Sequence, residues 1–244
     1  MTVDKSAREK TGKAYPPHRS KNIFTDIRYF LLSKPRIDTL VRIQSLDERE
    51  NFNMRILQRT GLGTHNYKML NIHKIGVEVP ASYVFNELMK WNGDSSCWPN
   101  HIANVSVMDK NMEMILVYLF TPIKIRRRAI GYRLFNLKID RIQSIPSPYD
   151  DDNARYLLYE CSGGYPIGIF SMYVRSSISE LGEEGMSQLF FIVGFNFYGS
   201  RSISNIKFIR KTWERIHNRV TANVVNRFKQ LCEYRFENLV NNRI

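Results

Sequence analysis

The chain has 244 residues, of which 43% are hydrophobic and 12% aromatic. That is enough apolar surface for a large domain with a packed core, so wholesale disorder is excluded. Its formal net charge is +13, and the charge sits at the ends. Residues 1–21 carry six Lys/Arg against Asp4 and Glu9, and residues 201–244 carry ten against Glu214, Glu233 and Glu237, whereas residues 61–200 carry thirteen of each sign. A neutral middle between basic ends suits a surface that faces a polyanion: anionic lipid, nucleic acid or an acidic protein. No run approaches the ~18–20 apolar residues of a membrane span, and residues 1–21 hold no apolar stretch of the kind a secretory signal needs. Cys97, Cys161 and Cys232 are odd in number and widely spread, which gives no disulfide framework and fits a reducing compartment. A cytoplasmic location is expected, with peripheral membrane contact as a further option.

Residues 1–21, polar and containing Pro16-Pro17, are expected to be a disordered basic tail. Residues 22–69 are expected to be a helical extension. Ile23, Ile27, Tyr29, Phe30 and Leu31 make a rough apolar face that Lys34-Pro35 stops, and further helical turns are expected over 37–43 and 48–58, before Gly61-Leu62-Gly63. A strand follows over 72–79, where Ile75, Val77 and Val79 alternate with Lys74, Gly76 and Glu78. Pro80 ends it and suits the first turn of a helix over 80–91, whose Val84, Leu88 and Trp91 share a stripe. A second short helix is expected after Gly93, through Trp98. Strand-like runs then occupy 102–108, 112–120, 123–132, 134–145, 155–161, 167–178 and 186–198. Their turn-like linkers, such as Asp109-Lys110-Asn111 and Gly163-Gly164-Tyr165-Pro166, are short enough to argue for antiparallel neighbours. The chain ends in one long helix over 204–241. Ile206, Ile209, Trp213, Ile216, Val220, Val224, Phe228 and Leu231 step by three or four along it, and Lys207, Lys211, Arg215, Arg219 and Lys229 stand on the opposite face.

This order gives an α+β fold: a curved antiparallel sheet of about six to seven strands wrapped around a long C-terminal helix, with two short helices after the first strand. The segment Val77-Glu78-Val79-Pro80-Ala81-Ser82-Tyr83-Val84-Phe85-Asn86-Glu87-Leu88 resembles the strand-to-helix start of the SRPBCC superfamily of helix-grip proteins, which includes START-like lipid carriers and polyketide cyclases. Cys97-Trp98-Pro99-Asn100-His101 resembles the Trp-Pro segment that follows, and the run from Gln188 to Tyr198 with the helix after it completes the order. The resemblance places a START-like domain at 70–244, leaves the N-terminal extension outside its pattern, and implies a ligand cavity between sheet and helix.

Tyr118, Tyr132, Tyr159, Tyr173, Phe191, Phe195 and Trp213 are the candidate aromatic lining of such a cavity, with His217 on the terminal helix as a polar group. If Phe191 and Phe195 point inward, strand alternation carries Leu189, Val193 and Phe197 with them. In the strand reading of 123–132, Arg126 and Arg128 share one face and Arg127 the other; they read as a charge-protected edge strand or as an inward partner for a ligand anion. No metal site is expected: Cys97 and His101 lack two further ligands, while His73, His217, Cys161 and Cys232 are scattered. Asp150-Asp151-Asp152 reads as a solvated loop. No nucleophile–base constellation assembles from the spacing, and no cofactor is expected.

The function expected is non-enzymatic binding of a hydrophobic small molecule, such as a lipid, quinone or polyketide, with an anionic membrane or an acidic protein as a peripheral partner. The alternatives are a polyketide cyclase or dehydratase, which needs polar groups inside the pocket, and a basic nucleic-acid or partner-binding module. Nucleic acid is the less favoured partner, because most of the aromatics lie in apolar strand patterns and are not interleaved with the Lys/Arg clusters.

Overall fold

A computed structural model describes residues 23–60, 69–90, 103–107, 115–119, 123–125, 128–130, 136–146, 155–162, 167–177, 186–195 and 207–242. The expected tail over 1–21 and the short helix through Trp98 lie outside the described residues.

A short helix α1 (Ile23–Asp26) continues in a wider π-helical winding over Ile27–Leu32, and Phe30 is its buried residue. Ser33 closes that winding with its N–H and its hydroxyl, both donated to the Arg28 carbonyl. Helix α2 (Leu46–Arg59) starts where Ser45 accepts from the Glu48 N–H and where Asp47 and Glu48 complement the helix dipole. Thr60 ends it by donating its N–H and its hydroxyl to the Leu57 carbonyl.

Between these helices the chain is extended, where helical turns were expected over 37–43. The Lys74 N–H donates to the Thr39 carbonyl, and the Val41 N–H donates to the Ile72 carbonyl. Residues 39–41 thus make a short antiparallel bridge along strand β1 (Met69–Val77). An edge strand has unspent hydrogen bonds to offer, and this local gain outweighs the weak helical pattern of Ile37, Leu40 and Ile43.

Helix α3 (Ala81–Lys90) follows β1. After it come β2 (Ala103–Val107), β3 (Ile115–Leu119), β4 (Ile123–Ile125), β5 (Arg128–Ile130), β6 (Asn136–Pro146), β7 (Arg155–Ser162), β8 (Ile167–Ser177) and β9 (Met186–Phe195). Among the described residues the strands lie in the order β1-β9-β8-β7-β6-β3-β2, every pair antiparallel, and β4 pairs with β5 in a separate ladder. The single strand expected over 123–132 is therefore a reversal, with Ile125 opposite Arg128. Arg126 and Arg127 lie outside the described residues, and so does Asp150-Asp151-Asp152. Helix α4 (Lys207–Asn241) closes the chain. The architecture is α+β, an open antiparallel sheet with a long C-terminal helix.

The sheet is buried on both faces at its β1-β9-β8 end. On the inner face, Ile75 and Val77 of β1, Leu189 and Phe191 of β9, and Met172 and Val174 of β8 pack with Val84 and Leu88 of α3 and with Val225, Phe228, Leu231 and Cys232 of α4. On the outer face, Ile72, Tyr173, Phe190 and Ile192 pack with Ile56 and Leu57 of α2. Alternation along each strand produces the division: Tyr173 stands between Met172 and Val174, and Phe190 between Leu189 and Phe191. The extension thereby supplies a third layer, α2 on one side of the sheet and α4 on the other.

Candidate functional site

Helix α4 changes character along its length. Its second half packs into the inner core, and over Ala222–Phe228 it is buried on all sides. Only part of that burial is apolar. Asn223 donates its side-chain amide to the carbonyls of Phe30 and Ser33, each at 3.0 Å. Asn226 accepts from the Ile37 N–H at 3.1 Å and donates to the Ile37 carbonyl at 2.9 Å, so its amide completes the backbone bonding of that residue. Residues 33–41 thus form a strap that crosses the outside of α4 and then runs onto the free edge of β1.

The strap and the sheet meet the first half of α4 at His73. Its neighbours in register are Leu40 of the strap and Phe191 of β9. The His73 ring is 1% exposed. Nδ1 lies 2.9 Å from the Thr39 hydroxyl, and Nε2 lies 3.3 Å from Asn218 Oδ1 on α4. One neutral tautomer satisfies both contacts: the Thr39 hydroxyl donates to Nδ1, and Nε2–H donates to Asn218. Burial holds the His73 pKa down at about 4, partly opposed by the Asn218 hydrogen bond and the Asp38 charge and assisted by His217 and Arg42.

His217 follows Trp213 by one helical turn, which sets the two on one face of α4. Their ring centroids are 5.5 Å apart, with the planes at 53°. Burial alone pushes the His217 pKa down to about 4. At neutral pH the underside of the first half of α4 therefore presents an indole and an uncharged imidazole, with a second uncharged imidazole at His73 near enough that a proton on His217 disfavours one on His73. This arrangement suits an apolar or aromatic molecule that carries one or two hydrogen-bonding groups. Among the described residues no group of three His, Cys, Asp or Glu side chains is placed to hold a metal ion. Cys232 is 1% exposed and sits in the inner core, where a thiol behaves as a small apolar group.

The candidates named from sequence separate accordingly. Trp213 and His217 come together on α4. Phe191 faces α4 and lies within the packed inner core. Tyr173 is on the other face: it packs against α2 and Phe190, and its hydroxyl accepts from Arg59 at 3.4 Å. It is removed from any space between the sheet and α4, because β8 is covered on both sides and its alternation sends Met172 inward. Tyr118 lies in β3 opposite Asn104 and Asn136, Tyr159 in β7 opposite Ile142 and Phe170, and Phe195 at the end of β9 opposite Met69 and Ile167. Tyr132 lies outside the described residues. Sequence reasoning missed His73, Thr39 and Asn218, since a histidine inside an apolar strand pattern gives no sign of its partners. Three of the five asparagines of α4, at 218, 223 and 226, are a signal that was present: polar residues that a solvated face does not need.

The chain matches no protein-family model and no curated protein sequence. Among solved structures it is similar to the ZhuI aromatase/cyclase of Streptomyces sp. R1128, with 14% identity and a TM-score of 0.46 over 69% of this chain and 95% of that one. It is similar to a conserved protein of Geobacillus kaustophilus, with 13% identity and a TM-score of 0.42 over 67% and 95% of the two chains. It is similar to norcoclaurine synthase of Thalictrum flavum, with 10% identity and a TM-score of 0.38 over 67% and 85%.

Proposed function

We propose that residues 70–244 act as a helix-grip binding domain and hold a hydrophobic small molecule, a lipid, quinone or polyketide, between the inner face of the sheet and the first half of α4. The observation that carries this reading is the Trp213–His217 pair. Both rings are half-buried, with burial holding the His217 pKa down at about 4, and among the described residues they stand outside the packed inner core that the second half of α4 makes. An indole stacking surface beside a neutral imidazole is a receptor for an apolar body with a polar handle.

A cyclase or dehydratase is the second reading, favoured by the two imidazoles His73 and His217. Both ring nitrogens of His73 are engaged. A pKa of about 4 makes His217 a poor general base near neutrality. Binding without turnover is the better match. Organic extraction of the purified protein followed by mass spectrometry is expected to release a lipophile. Trp213→Ala together with His217→Ala is expected to lower its yield by about tenfold, the loss of roughly one aromatic contact and one hydrogen bond. An extract free of lipophile, combined with no fluorescence response to an added naphthalene-sulfonate probe, counts against the proposal.

A further inference from the structure

The outward side of the first half of α4 joins the strap in one surface, and we infer that this surface docks the protein on an anionic lipid bilayer. The inference does not depend on what the site beneath α4 holds. Lys211, Arg215 and Arg219 are exposed on α4 at helical spacing, with Lys207 one turn before them. Phe208 stands among them 78% exposed, and Ile216 is exposed on the flank. Asn226 and Asn223, further along the same outward side, hold the strap and the π-helical turn before it against the helix. Those segments add three exposed cations, Arg28, Lys34 and Arg36, and the exposed Leu32 at 66%, and α1, which leads into them, adds Phe24 at 75%.

In residues 23–37 and 207–219 the acids are Asp26 and Glu214. A surface of this composition attracts the negative potential of a membrane leaflet through its cations. It then gains from burying its large apolar side chains at the headgroup boundary. A nucleic acid would use the cations and the rings of Phe208 and Phe24, but it would leave Leu32 and Ile216 bare to water, since an aliphatic side chain offers no stacking face to a base. The same helix thus presents its imidazole and indole to the sheet and its phenylalanine and basic residues to the lipid, as a carrier that exchanges an apolar cargo with a bilayer requires.

The experiment is co-sedimentation of the full chain with vesicles of phosphatidylcholine alone and of phosphatidylcholine with phosphatidylserine. Sedimentation with the anionic vesicles only, weakened by salt, is the expected result. Lys211→Glu with Arg215→Glu is expected to reduce the bound fraction by at least about tenfold. Phe208→Ser with Leu32→Ser is expected to reduce it at low salt as well, with an unchanged melting temperature because both side chains are exposed. Absence of sedimentation with either vesicle overturns the inference. So does binding equal for the charge-reversed and native chains, or a gel shift of single- or double-stranded DNA lost in the charge-reversed chain while vesicles remain unbound. Lipophile extracted from each variant reports separately on the site beneath α4.

Discussion

His73 joins three segments through one uncharged ring: the strap through Thr39, α4 through Asn218, and β1 through its own backbone. In the unfolded chain this ring takes up a proton near pH 6.5, whereas in the folded protein it does so only near pH 4. Between those values the unfolded state binds more protons, so stability falls as the pH drops through this window and is recovered above it. The contribution of His73 alone is about 3 kcal/mol across the window, and His217 acts in the same direction. Urea unfolding as a function of pH is expected to show this slope. His73→Ala is expected to cost about 3 kcal/mol at pH 7, from the cavity and from the polar partners left behind, and to flatten the slope between pH 4 and 6.5. An undiminished slope in that variant would mean that other groups govern the acid sensitivity.

At the scale of elements, α4 is gripped from two sides by different physics. The sheet side is apolar, with Val225, Phe228 and Leu231 in the inner core; the strap side is amide to backbone, through Asn223 and Asn226. Near the far end, Arg235 pairs at 2.8 Å with the buried carboxylate of Glu87 on α3, and Glu233 accepts from Lys229 and from the Glu78 N–H. Asn223→Ala is expected to leave the Phe30 and Ser33 carbonyls without that donor and to cost about 1–2 kcal/mol. Hydrogen exchange at the Ile37, Val41 and Lys74 amides is expected to accelerate in Asn226→Ala more than exchange within β8 and β9. Uniform acceleration would show that the strap does not open separately. The apolar stripe of α4 was legible at Val224, Phe228 and Leu231 because its three-and-four stepping is written in side chains alone; Ile216, read as part of it, is 44% exposed, one step round toward the outward side. The role of Asn223 and Asn226 was not, because their partners are backbone groups almost two hundred residues away. Tyr173 was misplaced for a related reason: alternation along β8 separates it from Met172, but only the position of α2 decides which of the two faces looks toward α4. Leu189-Phe190-Phe191-Ile192-Val193 reads as one unbroken apolar run because α2 covers the second face. The helix expected over 37–43 yielded to hydrogen bonds with a distant edge strand, which no local pattern records.

For the whole molecule, the extension is part of the packing. Leu57 is fully buried under the outer face of the sheet, and Thr39 is 2% exposed at the edge of β1. Removal of residues 1–60 is expected to bare Phe190, Tyr173 and Ile192 together with the outward bonds of β1. That is the combination of apolar face and unpaired edge that drives association between chains. Size-exclusion chromatography of the shortened protein is expected to show aggregates or no soluble material, and a soluble monomer of undiminished melting temperature would mean that the outer layer is dispensable. The strap also has a bearing on traffic. It lies over α4 like a bar across a door: moving the helix relative to the strap at Asn223 and Asn226 would break four side-chain-to-backbone hydrogen bonds at once. Passage beside Trp213, in the first half of the helix, breaks none of them, so the cargo of the proposed binding function would enter there and not under the strap.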